Sequence, residues 1–98
     1  MLRSLLKKWL GRATPRRPDL HFVMHTRKDC HLCETAWALL AKHQRERGFT
    51  LTMIDVDERP EMIAEYGHRV PVVVVNGQER FRGHVSEGLL RRLLDAKP

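Results

Sequence analysis

The run Val70-Pro71-Val72-Val73-Val74-Val75 constrains the fold of this 98-residue chain more than any other segment. Its β-branched residues favour a strand, and a strand this apolar is typical of a sheet centre covered on both faces. Asn76-Gly77 follows directly, and this dipeptide is a strong hairpin signal. The segment therefore predicts a central strand that returns through Glu79-Arg80-Phe81-Arg82 to Gly83.

The remaining patterns predict three helices and two further strands. The strands are Leu20 to His25 and Phe49 to Val56. The helices run from about Leu32 to a stop at Gly48, from Pro60 to Tyr66, and from Ser86, a candidate N-cap, to Asp95. The predicted order is β-α-β-α-β-β-α, with the early strands parallel and the last two antiparallel. We expect an α/β fold in which a four-stranded mixed sheet carries helices on both faces.

Basic residues are concentrated at the N-terminus. Residues 1–18 carry six of the 18 Lys and Arg and no acidic residue, whereas residues 19–98 carry 12 basic and 12 acidic side chains. This difference predicts a basic N-terminal extension and linker, residues 1–18, followed by one folded domain, residues 19–98. Because the body has no net charge and no basic stripe, we expect no nucleic-acid partner.

The extension has an amphipathic pattern. Its apolar residues fall on one face of a helix and are Leu2, Leu5, Leu6, Trp9 and Leu10. One interpretation is a short helix that packs on the body or frays. Another is weak contact with an anionic membrane surface through residues 1–12, and a third is a partner or targeting role.

The sequence also bears on localisation. No apolar run approaches the ~20 residues that span a bilayer. Lys7 and Lys8 interrupt the apolar region that a signal peptide needs. We therefore expect a cytoplasmic protein, peripheral to the inner face of the membrane if the extension binds lipid.

Cys30 and Cys33 are the two cysteines of the chain, and they lie at the predicted start of the first helix. The positive end of a helix dipole favours the thiolate, which is the reactive form of cysteine. One helical turn brings Cys33 within reach of Cys30, so Cys30 can attack a disulfide and Cys33 can resolve the product. Arg27 and Lys28 would add to this stabilisation, whereas Asp29 would oppose it.

Several motifs occur together over residues 20–95. They are Cys30-His31-Leu32-Cys33, Asp55-Val56-Asp57, Arg69-Val70-Pro71 before the valine run, Asn76-Gly77 and Gly83. With these motifs the chain resembles the glutaredoxin family of the thioredoxin-like superfamily, and most closely the small bacterial glutaredoxin-like proteins with a C-H-L-C active site. The resemblance implies a thioredoxin-like fold and a cis peptide between Val70 and Pro71 that faces the active site.

The resemblance also implies a substrate site. Arg27 occupies the place of a basic residue that holds the glutathione carboxylate. The cis peptide to Pro71 would turn the backbone of Val70 toward the substrate, whose main chain could pair with it, and Gly83 precedes the last helix. The implied substrates are protein disulfides or glutathione mixed disulfides, with glutathione as a candidate co-substrate. The acidic pair that binds the glutathione amino group in the family is replaced here by Val85-Ser86, which leaves the reductant open.

An alternative is a thioredoxin-fold binding module or redox sensor whose cysteines bind metal or lack turnover. His25 and His31 could join the two cysteines as metal ligands. Because two of the four would have to turn around a helix start, we expect no metal site and no tightly bound cofactor. Trp37 is expected in the core or at its rim, and Asp55 and Asp57 as solvated residues at a strand end.

Overall fold

A computed structural model describes residues 14–97 of the chain. The elements are β1 (His21–Thr26), α1 (His31–Arg47), β2 (Thr50–Asp55), a 3₁₀ turn (Val56–Glu58), α2 (Pro60–Tyr66), β3 (Val72–Val75), β4 (Gln78–Arg82) and α3 (Glu87–Asp95). This order confirms the predicted β-α-β-α-β-β-α arrangement. The amphipathic pattern of residues 1–10 lies outside the described residues.

The four strands form one mixed sheet in the order β2-β1-β3-β4. β1 is parallel to β2 and antiparallel to β3, and β3 is antiparallel to β4. The valine strand β3 is therefore internal, as its composition predicts. Asn76 and Gly77 both have positive φ, 49° and 82°, which is the backbone geometry that a tight hairpin turn requires.

The core lies between the sheet and two of the helices. Phe22 and Met24 of β1 share a sheet face with their β3 partners Val75 and Val73. The helix residues buried against this face are Cys33, Ala36 and Leu40 of α1 and Leu90 and Leu94 of α3. On the opposite face the ring of Tyr66 from α2 lies 4.3 Å from the ring of His25. Helices therefore cover both faces of the sheet.

The second strand is shorter than its sequence pattern predicts, since it ends at Asp55 rather than Val56. The Asp55 carboxylate accepts a hydrogen bond from the backbone N–H of Asp57, at 2.9 Å. This contact caps the 3₁₀ turn and takes the chain out of the sheet.

The end of the predicted linker packs on the folded body. Arg17 is 5% exposed, and its guanidinium donates to the carbonyl oxygens of Leu93, Leu94 and Ala96 at the end of α3. These carbonyls lack partners within the helix, and a buried guanidinium can satisfy several of them at once. The expectation that the basic residues up to residue 18 lie outside the body is therefore wrong for Arg17.

No helix within residues 14–97 is both long and apolar enough to cross a membrane.

Candidate active site

Cys30 is the N-cap residue of α1. Its backbone is extended, with φ −102° and ψ 98°, and its Sγ accepts a hydrogen bond from the backbone N–H of Cys33 at 3.1 Å. The residue before it, Asp29, has a positive φ of 57°, which turns the chain from β1 into the helix. This sulfur lies at a backbone N–H donor and at the positive end of the helix dipole, and both favour an anion at that position.

Cys30 and Cys33 are joined as a disulfide, with their Cα atoms 5.2 Å apart. Cys33 is 2% exposed and belongs to the core, whereas Cys30 is half-buried at its margin. Cys30 is therefore the more accessible of the two sulfurs. The sequence predicts this difference in exposure, whereas the roles of attacking and resolving thiol stay predictions.

A pocket of about 440 Å³ opens beside the disulfide, between the carboxyl ends of β1 and β2 and the start of α1. We call it the cysteine pocket. Both cysteines line it, and Trp37 and Met53 supply apolar surface. Trp37 therefore lies at the rim of the core, as expected.

Asp55 lies in the same pocket and is half-buried rather than fully solvated as expected. The sequence carries one signal for this position. β1 and β2 are parallel, so Asp55 lies opposite Thr26 at the same edge of the sheet, next to the cysteine loop.

Arg27 also lines the cysteine pocket, but its guanidinium has a partner within the fold. It binds the carboxylate of Asp57 at 3.0 Å and the carbonyl oxygen of Gly67 at 3.3 Å. A glutathione carboxylate would have to compete with Asp57 for this side chain. The contact between Arg27 and glutathione stays a prediction.

The other predicted substrate residues lie together on a different side of the α1 N-terminus. The Val70–Pro71 peptide is cis, as the resemblance implies, and the Pro71 carbonyl accepts a hydrogen bond from the N–H of Gly83 at 2.7 Å. Gly83 borders a small cleft with Leu32, which precedes Cys33. Leu32 is 55% exposed. The roles of Val70, Pro71 and Gly83 in substrate binding stay predictions.

The histidines near the cysteines are engaged elsewhere. The Nδ1 atom of His25 lies 3.2 Å from the Val72 carbonyl oxygen, while His31 is 90% exposed beside Glu34. Within residues 14–97 no three or more His, Cys, Asp or Glu side chains are grouped so that they could hold a metal ion. The ring of Tyr66 packs against the ring of His25. Burial raises the pKa of the Tyr66 hydroxyl, and the charge of Glu65 acts in the same direction.

Comparison with known proteins assigns the chain to a family. The family described as Glutaredoxin-like domain (DUF836) matches residues 21–95. The chain belongs to this family. The matched segment runs from the first residue of β1 to the last residue of α3. Arg17 lies outside the match, although it packs on the end of α3.

Relatives and solved structures agree with this assignment. The uncharacterized protein Mb0520 of Mycobacterium bovis is 36% identical over an alignment of 80 residues, which covers 76% of this chain and 80% of the relative. The structure of target protein XcR50 from X. campestris has a TM-score of 0.63 at 31% identity and covers 79% of this chain and 99% of that one.

A mutant thioredoxin from Halobacterium salinarum has a TM-score of 0.61 at 23% identity, over 88% of this chain and 80% of the thioredoxin. This likeness shows the thioredoxin-like fold. Family, fold and a Cys30–Cys33 pair at disulfide distance together support a redox function for the glutaredoxin-like domain.

Proposed function

We propose that this chain is a thiol–disulfide oxidoreductase that works by dithiol exchange, with Cys30 as the attacking thiol and Cys33 as the resolving thiol. The observation that carries the proposal is the position of the Cys30 sulfur. It caps α1 at 3.1 Å from the backbone nitrogen of Cys33, while the Cys33 side chain is buried. These positions support Cys30 as the sulfur that reacts first and Cys33 as the one that follows.

The exchange proceeds in two balanced steps. The Cys30 thiolate attacks a client disulfide, forms a mixed disulfide and expels one client thiolate, which takes up a proton from water. The Cys33 thiol then gives up its proton and attacks the Cys30 sulfur. This second step expels the other client thiolate and closes the Cys30–Cys33 disulfide. Two electrons pass to the client, and an external thiol must reduce the pair before the next cycle.

The stability of the thiolate decides the rate of the first step. A free cysteine with a pKa of ~8.5 is only about 3% ionised at pH 7. The helix dipole contributes roughly 0.3–1 kcal/mol at an exposed site, and a charge-assisted hydrogen bond adds about 1.5–3 kcal/mol. Both act on Cys30 and favour a pKa below the ordinary range for its thiol.

Protein disulfides are the substrates that the surroundings of the site favour, with glutathione mixed disulfides as the second class. Leu32 is exposed at the cleft that Gly83 borders, next to the cis Val70–Pro71 peptide. An exposed leucine beside accessible backbone suits a peptide chain, which offers both apolar side chains and main-chain hydrogen bonds.

Two cysteine variants test the proposal. With dithiothreitol as reductant, the wild-type protein should reduce a protein disulfide faster than dithiothreitol alone. Cys30→Ser should lose this turnover. Cys33→Ser, reduced beforehand and mixed with the protein disulfide in the absence of dithiothreitol, should stop after the first step and accumulate a mixed disulfide that mass spectrometry detects. Turnover that persists in Cys30→Ser would contradict the assignment. A wild-type protein that is no faster than the reductant alone would favour a sensor or binding module.

A further inference from the structure

The side chains around the cysteine pocket carry a negative balance of charge. Three carboxylates line it, those of Asp29, Glu34 and Asp55. Its two basic residues are Arg27 and Lys28, but Arg27 forms a neutral pair with Asp57 at 3.0 Å. Lys28 is therefore left to balance three carboxylates, and a thiolate at Cys30 would add a further negative charge.

The walls of the pocket combine these charges with apolar surface. Glu34 and Trp37 are one turn apart on α1, so they form one wall. Met53 and Asp55 are alternate residues of β2 and form the other wall. Met53 is 46% exposed, which leaves its side chain available for contact. Each wall thus offers an apolar surface and a carboxylate, with the Cys30 sulfur beside them.

This arrangement matches the shape and charge of a lysine or arginine side chain. Such a side chain has an apolar stem that can lie along Trp37 and Met53, and a cationic head that can reach Glu34 or Asp55. The pocket volume of about 440 Å³ falls within the usual range for small ligand sites, so it can hold one long side chain.

We propose that the cysteine pocket selects disulfides with a positive charge close to the reacting sulfur, as in proteins whose cysteine is flanked by lysine or arginine. Glutathione disulfide carries net negative charge and is disfavoured at the same pocket. This inference rests on the proposed function and names the substrate class that Cys30 attacks.

The carboxylates have a second effect of opposite sign. A negative charge near Cys30 disfavours its thiolate, so removing one carboxylate should raise the reactivity of Cys30 toward a neutral reagent. The same change should lower the preference for a cationic disulfide. A change in general reactivity alone would move all rates together, so these opposite effects distinguish charge selection from activation.

Small disulfides of different charge provide the test. The full-length chain carrying Cys33→Ser limits the reaction to the first step, and mass spectrometry follows the mixed disulfide. The probes are cystamine, a dication, hydroxyethyl disulfide, which is neutral, and dithiodipropionate, a dianion. The ratio of the cystamine rate to the dithiodipropionate rate measures charge preference. Differences between the leaving groups cancel when the ratio is compared between protein variants.

Matched charge variants locate the effect. Glu34→Gln and Asp55→Asn should each lower the ratio about three- to tenfold at low salt, since unit charges roughly 6–8 Å apart in a water-like medium change a rate about threefold each. Asn can keep the cap that Asp55 provides. Glu46→Gln makes the same change at an exposed position on the last turn of α1, about 24 Å from Cys30 at the helical rise per residue, and should leave the ratio unchanged. High salt should reduce the wild-type ratio.

The outcomes separate this inference from the proposed function. A chain that reacts with none of the three disulfides would remove the proposed function itself. Suppose that the chain reacts with hydroxyethyl disulfide, but that the ratio of the cystamine rate to the dithiodipropionate rate is the same in the Glu34→Gln, Asp55→Asn and Glu46→Gln variants. This result would overturn charge selection and leave the proposed function in place. A second result would also overturn charge selection. It is a higher rate with glutathione disulfide than with cystamine, when each rate is divided by the rate of a simple free thiol with the same disulfide. In each variant, the rate with the neutral hydroxyethyl disulfide is the control that shows that the protein is folded and that its Cys30 is accessible and reactive.

Discussion

Arg17 and Arg47 join three segments at the end of the molecule where α1 and α3 terminate. Arg17 is held by the carbonyls that end α3 and by Asp19 at 2.9 Å, while Arg47 donates to the carbonyl of Pro15 at 2.9 Å and pairs with Asp95. Both arginines are 5% exposed. This two-arginine clamp lies about 25 Å from Cys30 along α1, which separates the structural end of the molecule from the reactive end.

Removing the first of these arginines should destabilise the protein. Arg17→Ala removes the guanidinium that donates to the carbonyls of Leu93, Leu94 and Ala96 and leaves the Asp19 carboxylate without its partner. We therefore expect a loss of about 2–4 kcal/mol in the free energy of unfolding. Chemical denaturation of both proteins measures it. Arg16→Ala, at an exposed neighbouring position, is the control and should stay within about 0.5 kcal/mol. Equal stability of the two variants would show that the Arg17 contacts contribute nothing to stability.

At the same scale, the sequence could identify some residues and not others. Cys30 and Cys33 were predictable because their chemistry depends on a local feature, the start of a helix. The partners of Arg17 and Arg27 lie far along the chain, at Leu94 and Asp57, and no local pattern indicates them. The charge count therefore assigned Arg17 to the extension, although the fold buries it.

At the scale of elements, a polar side-chain contact connects α1 and α3. The Nε2 atom of His43 lies 3.3 Å from the Glu87 carboxylate, and Lys42 and Arg91 also approach it. The hydrogen bond from His43 is the main cause that holds the pKa of Glu87 below its ordinary value, and the two cations act in the same direction. Glu87 sits in the first turn of α3, where a negative charge also suits the helix dipole.

This contact predicts how stability depends on pH. Because the folded pKa of Glu87 is lowered, its contribution is complete above the unfolded pKa and is lost as the pH falls through the folded pKa. Glu87→Gln should therefore give a smaller loss of stability on acidification below about pH 4.5, measured by denaturation at several pH values. Asp19, whose pKa Arg17 also lowers, keeps its own contribution in both proteins. An acid dependence equal to that of the wild type would contradict this role for Glu87.

The boundaries of the elements were predictable where a cap marks them. Gly48 ends α1 with a φ of 76°, Pro60 begins α2 and the Ser86 hydroxyl accepts from the N–H of Leu89 to begin α3. The end of β2 was not predictable from the sequence, because it depends on a turn that the Asp55 carboxylate stabilises. That turn lies within an apolar and acidic sequence which also suits a strand.

At the scale of the whole molecule, the topology followed from the valine run and the Asn76-Gly77 turn. An apolar strand must be covered on both faces, and a tight turn forces its neighbour to be antiparallel. What these rules could not give is the charge of the cysteine pocket, since it is formed by side chains from α1, β2 and the loop before Cys30. Such convergence depends on tertiary packing.

The clamp also predicts how two N-terminal deletions differ. Deleting residues 1–13 keeps Pro15 and Arg17, whereas deleting residues 1–18 removes the Arg17 contacts and should give the lower melting temperature of the two. Sedimentation of the full chain and of the first deletion with anionic vesicles tests whether residues 1–12 bind membranes. Equal melting temperatures of the two deletions would contradict this role for Arg17.

The account depends most on the state of the Cys30 sulfur in the reduced protein. The pH dependence of alkylation of each cysteine by iodoacetamide, resolved by peptide mass spectrometry, measures that state directly. We predict a fast-reacting Cys30 whose thiol pKa lies below the ~8.5 of a free cysteine, and a Cys33 that reacts far more slowly because it is buried. Two thiols with the same ordinary pKa and equal rates would contradict the central claim.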